Sequence, residues 1–272
     1  MLWALVLGLL SHLGNAAPLP QPVESKRKLV LPSLLRDPLE SLIGEKCYVS
    51  LVENLTFTDL ACLKYALSKG LGLGIVIGGS IVKIPQIITI VSKRSVQGLS
   101  LASNQLESTA YLIILAYNLR HQNPFSTYGE VVFMSVQNVL VTLLILYYHQ
   151  QLVTMVLTFI GAVGVLYGCQ YLITPWMMAG LYVSTIPLLL ASKIPQIHAN
   201  YVNQSTGQLS VFAVLTYFLG TTARVFTTMT ELDDPLMLGS NVLASLLNGI
   251  LVVQVYLYWG NSSDHERPAK AD

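Results

Sequence analysis

The residues with the most chemical potential in this chain sit inside a word written twice. Lys83-Ile84-Pro85-Gln86-Ile87 recurs as Lys193-Ile194-Pro195-Gln196-Ile197, 110 positions later. Both copies lie in strongly apolar sequence, where an ionisable side chain is costly and points to function. Lys83 and Lys193, turned inward, are suited to an anionic group such as a phosphate. Turned outward, they snorkel to the headgroups. Pro85 and Pro195 each remove a backbone N–H and clash with the carbonyl four residues back, which predicts a kink or hinge near the end of a span. Gln86 and Gln196 are the expected partners for the backbone groups so freed.

Three further sites have two readings each. Glu107 and Arg224 fall in mid-span without a charged counterpart in the other copy: Glu107 aligns with Tyr217, and Arg224 with Ile114. Each is paired inside the bundle, Glu107 with Lys83, or Arg224 grips phosphate or sugar while Glu107 titrates. Asn138 and Asn248 are equivalent in the two copies and are expected to face each other across a pseudo-twofold. They serve as interhelical glue or bind sugar hydroxyls. Gly74 and Gly78 mark a close helix contact and not a phosphate loop, since no strand precedes them and no Lys-Ser/Thr follows.

Several chemistries lack residues. The five histidines show no HExxH or HxxxH spacing, so no metal and no cofactor is expected. There is no nucleophile elbow, and the chain reads as a non-enzyme. A net charge of +1 gives no basic footprint for a nucleic acid.

The positioning elements follow from the repeat and from hydropathy. Hydrophobic residues make up 53% and charged residues 11%, too few charges to coat a soluble surface of this size. The 110-residue register also aligns Gly70 with Gly180, Ser95 with Ser205, Gly129 with Gly239 and Tyr148 with Tyr258. A constant register over that length is a duplication. Apolar stretches predict seven transmembrane helices near 70–92, 99–119, 126–148, 151–172, 176–198, 209–229 and 236–259. Three helices reverse direction end to end, so a single linker helix is needed to make two three-helix copies parallel. The expected fold is all-α and multi-pass: a first repeat at 70–148, a linker at 149–175 and a second repeat at 176–259. Residues 1–16 resemble a signal peptide, 17–69 form a lumenal leader and cap, and 260–272 a cytosolic tail. Asn54 begins a glycosylation sequon, and Cys47 and Cys62 are expected to pair in an oxidising lumen.

The duplicated KIPQI with its polar loop and following Leu-Ser resembles the PQ-loop family, whose relatives include SWEET sugar transporters and cystinosin. Lys46-Cys47-Tyr48, Leu67-Ser68-Lys69-Gly70, Asn123-Pro124-Phe125-Ser126, Ala223-Arg224-Val225-Phe226-Thr227 and Asp234-Pro235-Leu236-Met237 narrow the resemblance to the mannose-P-dolichol utilisation branch of that family. It covers roughly residues 46 to 260. The resemblance implies an endoplasmic reticulum membrane protein with a lumenal N-terminus and a cytosolic C-terminus. Its implied role is to let dolichyl-phosphate mannose and dolichyl-phosphate glucose serve as lumenal sugar donors for N-glycan precursor, GPI anchor and mannosylation. The implied partners are those lipids, the surrounding membrane lipids and endoplasmic reticulum glycosyltransferases. The alternative is a proton-coupled transporter of a small solute, with Glu107 as its titrating carboxylate.

Overall fold

The computed structural model describes residues 31–190, 193–205 and 211–258. The expected signal-like segment, part of the leader and the tail lie outside them. The chain forms two compact units that divide between Cys62 and Leu63.

The first unit holds helix α1 (Ser33–Tyr48), which follows Pro32 and continues into a single wide turn at Val49–Glu53. Gly44 interrupts the helical run with φ 78°, a conformation open to glycine because it has no Cβ. Tyr48 is fully buried here, and Ile43 and Leu51 are buried as well. Cys47 and Cys62 are joined by a disulfide with their Cα atoms 5.1 Å apart. Asp59 caps the next helix by accepting from the backbone N–H of Cys62 at 3.1 Å, and it also accepts from Ser50 Oγ at 2.8 Å.

The remaining helices are α2 (Leu60–Ile81), α3 (Ile84–Lys93), α4 (Leu101–Arg120), α5 (Phe125–Tyr148), α6 (Leu152–Tyr171), α7 (Pro175–Leu190), α8 (Lys193–Asn203), α9 (Val211–Glu231) and α10 (Pro235–Leu257). Their boundaries carry recognisable local chemistry. Arg94 leaves α3 in the left-handed region, Ser100 caps α4, and Asp234 Oδ1 accepts from the N–H groups of Leu236 and Met237 to start α10 behind Pro235. Helix α2 begins ten residues before the expected first span, because the Asp59 cap starts it early.

Among the described residues, five segments are long and apolar enough to cross a membrane: Leu60–Lys93, Phe125–Tyr148, Leu152–Tyr171, Pro175–Asn203 and Pro235–Leu257. Helices α4 and α9 have the length but carry more polar residues. The reason for α4 is its position: Ala110, Leu112, Ile113, Leu115, Ala116 and Tyr117 are all buried, so it is surrounded by protein. It packs on α5, α6 and α7.

The duplication is visible in the core. Val141 and Ile145 of α5 pack with Ile90 and Ile87 beneath the first copy. Their 110-shifted equivalents Leu251 and Val255 of α10 pack with Ile197 and Val214 beneath the second. A third cluster joins the copies, with Ile113, Ala116 and Tyr117 of α4 against Cys169 of α6, Met178 and Tyr182 of α7 and Met237 of α10. The close helix contact uses other glycines than expected. Gly74 and Gly78 face open space. A Cβ on Gly72 would strike the Ser126 carbonyl, and one on Gly79 would strike Glu130 Cβ, so α2 lies on α5 through these two.

Candidate functional site

The first KIPQI does not kink a helix; it separates two. Helix α2 stops at Ile81, Lys83 adopts φ −96° and ψ −6°, and Pro85 stands in the first turn of α3, where a missing N–H costs nothing. The backbone groups freed at the break are met by Gln137 of α5. Its Oε1 accepts from the Lys83 N–H at 2.8 Å, and its Nε2 donates to the carbonyls of Gly79 and Ser80 at 3.0 and 2.9 Å. Gln86 makes no side-chain hydrogen bond among the described residues; the expected role belongs to Gln137. In the second copy α8 begins at Lys193, with Pro195 again in the first turn. Gln254 donates to the Ile197 carbonyl at 2.8 Å and accepts from Asn200 at 3.1 Å, while Gln196 has no such bond. Gln137 aligns with Leu247 and Gln254 with Leu144, so the repeat register does not reveal these supports.

Both lysines turn onto a neighbouring helix. Lys83 Nζ lies 3.0 Å from Glu107 Oε2 on α4, the pairing weighed from the sequence. Lys193 Nζ lies 4.7 Å from the ring centroid of Tyr217 on α9. Tyr217 is the 110-shifted equivalent of Glu107, so the copies preserve a contact while changing its chemistry from ion pair to cation–π.

Between the copies is a cavity of about 160 Å³. Its polar lining includes Asn118, Thr127, Thr185, Ser240 and Asn241, together with the pair Arg224–Glu130. Arg224 is 8% exposed and also donates from Nη1 to the Ser126 carbonyl at 3.0 Å. Its partner is therefore Glu130, a carboxylate in the second turn of α5 that sequence reading passed over. An isolated acid in the apolar run of α5 was the available signal. Asn138 is fully buried with neither amide atom hydrogen-bonded. Asn248 donates to Thr221 Oγ1 at 3.4 Å. The two asparagines make no hydrogen bond to each other, so direct pairing across the pseudo-twofold is not found. Asn248 is held within its own copy, whereas the Asn138 amide is buried without a partner.

The model of the PQ loop repeat matches residues 67–127 and again 177–237, each pair of limits offset by the same 110 residues. The chain carries the PQ loop repeat twice. Each match takes in one Lys-Ile-Pro-Gln-Ile word and runs on to the start of α5 or α10. Human solute carrier family 66 member 3 is 27% identical over 181 residues, covering 65% of this chain and 86% of that protein. The chain is thus a multi-pass membrane protein related to a solute-carrier family.

Proposed function

We propose that this PQ-loop protein presents or reorients dolichyl-phosphate mannose and dolichyl-phosphate glucose in the endoplasmic reticulum membrane. In this reading all seven helical segments cross the bilayer, with the N-terminal cap lumenal and the C-terminus cytosolic. The observation that carries it is the state of Lys193. The other ammonium and guanidinium groups of the bundle are answered within the protein: Lys69, Lys83 and Arg224 each face a carboxylate, and Arg120 donates to the carbonyls of Cys169 and Ile173. Lys193 faces no carboxylate among the described residues, and its aromatic partner Tyr217 is 57% exposed on the outside of the bundle. A cation at that place is reachable from the lipid and can balance a lipid phosphate, because a buried charge without a partner is costly. The hydroxyl- and amide-lined cavity between the copies offers about five waters' worth of space, the scale of one sugar ring.

The test is the lipid-linked oligosaccharide profile of cells carrying Lys193→Ala, measured against total dolichyl-phosphate mannose and protein abundance. Truncated intermediates with normal donor and normal protein are expected. A full-length profile defeats the reading.

A second reading, a proton-coupled carrier of a small polar solute, is favoured by Glu130 on the cavity wall and by the name of the human relative. It requires solute uptake driven by a pH gradient in reconstituted vesicles, lost in Glu130→Gln, with a normal oligosaccharide profile in Lys193→Ala.

A further inference from the structure

Helices α4, α5 and α6 enclose a cavity of about 340 Å³, away from the one between the copies. Its residues fall into two tiers. Gln105, Ser108 and Thr109 of α4, Thr142 of α5 and Thr158 of α6 stand within about 12 Å of the helix ends beside residues 94–100 and 149–151, at a rise of about 1.5 Å per residue. Leu112, Val139, Gly161, Ala162 and Val165 stand roughly 13–20 Å from those ends, toward the middle of the bilayer. Ser108, Leu112 and Thr142 are buried while Thr109 and Gly161 are exposed, so the cavity opens sideways onto lipid.

The repeat marks the polar tier as particular to this face. The 110-shifted equivalents of Gln105, Ser108, Thr109 and Thr142 are Leu215, Phe218, Leu219 and Val252. A face that is apolar in one copy thus carries an amide and three hydroxyls in the other, inside a membrane, where polar groups without partners are costly. The three hydroxyls are answered locally. Ser108 donates to the Asn104 carbonyl at 2.7 Å, Thr109 to the Gln105 carbonyl at 2.9 Å and Thr142 to the Asn138 carbonyl at 2.9 Å. The Gln105 amide and the Thr158 hydroxyl line the cavity without a hydrogen-bond partner among the described residues. In the deeper tier, a Cβ on Gly161 would meet nothing within 4 Å, so protein packing does not require this glycine.

We propose that this cavity binds a sterol, a lipid with one uncharged hydroxyl on a rigid ring body. The hydroxyl both donates and accepts, and the Gln105 amide and Thr158 hydroxyl offer it both complements. No charged side chain lines the cavity among the described residues, so a phospholipid headgroup or a fatty-acid carboxylate would find no counter-ion there. Gly161 and Ala162 give the deeper tier a low wall flanked by Leu112, Val139 and Val165. Such a wall suits the face of fused rings better than a flexible chain, which must be ordered on binding. The volume falls within the range of small-molecule pockets, roughly 300–1,000 Å³. A ligand held by three helices at once also stabilises the folded bundle by mass action. The site is independent of whichever ligand uses the cavity between the copies.

The experiment irradiates full-length protein in lipid nanodiscs with a photoreactive cholesterol carrying a diazirine on its rings. Labelled peptides are expected from residues 105–112 and 158–165, and unlabelled cholesterol is expected to compete. Gly161→Leu fills the cavity from an open position, and Gln105→Leu with Thr158→Val removes both unpartnered polar groups. Each is expected to weaken labelling about fivefold or more, the scale of one lost hydrogen bond. Gly164→Leu also builds into open space but lies outside the cavity, and it is expected to label as the wild type does. Added cholesterol is expected to raise the melting temperature of the wild type and of Gly164→Leu, and not that of Gly161→Leu. Labelling that Gly161→Leu leaves intact overturns the proposal. Absence of label from both peptides also overturns it, since the cavity would then hold water only. Competition by dolichol or dioleoylglycerol as strong as by cholesterol overturns the sterol assignment.

Discussion

Lys193 holds its ammonium 4.7 Å from the ring centroid of Tyr217, at the place where Lys83 in the other copy meets the carboxylate of Glu107. The duplication thus kept a lysine against the second helix of each repeat and let the partner diverge from anion to ring. An ion pair neutralises its cation; a cation–π contact leaves the charge available to a ligand.

Replacing the two lysines should therefore separate function from stability. Lys83→Ala strands the Glu107 carboxylate and is expected to lower thermal stability in detergent, with partial recovery in Lys83→Ala/Glu107→Gln. Lys193→Ala is expected to leave the melting temperature nearly unchanged while depressing use of the lipid-linked donor. Tyr217→Glu, which gives the second copy the ion pair of the first, should mimic Lys193→Ala in the oligosaccharide profile at normal abundance. Equal functional losses from both lysines would refute the division.

Gln137 should matter more than Gln86. Gln137→Leu leaves the Lys83 N–H and the carbonyls of Gly79 and Ser80 without their partner. Fully buried unsatisfied groups cost about 1–3 kcal/mol, and these half-buried ones fall toward the lower end. Thermal unfolding of Gln137→Leu and Gln86→Leu is the comparison, and a larger drop for Gln86→Leu would contradict the assignment.

Among the glycines of α2, alanine is expected to be tolerated at 74 and 78 and not at 79. A Cβ at position 79 meets Glu130 Cβ, pushing α5 away and disturbing the Arg224 pair. Overpacking of this sort costs roughly 1–3 kcal/mol. Melting temperatures of the three single variants decide it.

The cap makes a topological prediction and a chemical one. A glycan is expected on Asn54 and none on Asn203, read by mobility shift after glycosidase treatment; the reverse pattern inverts the membrane orientation. Reduction of Cys47–Cys62, separated by 15 residues, should remove about 3 kcal/mol of local stability on the chain-entropy model. Hydrogen exchange in residues 43–62 under reductant measures this.

Asp59 should give the cap an acid limit. The Cys62 N–H and then the Ser50 hydroxyl hold its carboxyl below the usual carboxylate range. A folded value below the unfolded one stabilises fully above about pH 4, the ordinary Asp value, and that stabilisation is lost as pH falls through the folded value. The protection factor of the Cys62 amide, its exchange rate relative to the unfolded chain at the same pH, should fall on acidification in the wild type and stay level over the same range in Asp59→Asn.

The sequence by itself determined the duplication, its register, the helical class and the membrane setting, because these are local or periodic properties. A 110-residue offset and an apolar run are legible without any partner. It also supplied the Lys83–Glu107 pairing as one of two readings, since few opposite charges stood within reach. Only the tertiary structure decided which polar groups answer one another. Gln137 and Lys69 look unremarkable along the chain, Glu130 shows only as an acid in an apolar run, and none of the three has an equivalent of its kind in the second copy. Their roles arise because α5 crosses the break in α2 and because α9 brings Arg224 and Glu231 to α2 and α5. Asn138 and Asn248 mark the converse: identical in register, they have different surroundings, because each is set by the helices around it and not by the repeat. Pairing across helices depends on rotation and crossing, which no spacing along one helix encodes.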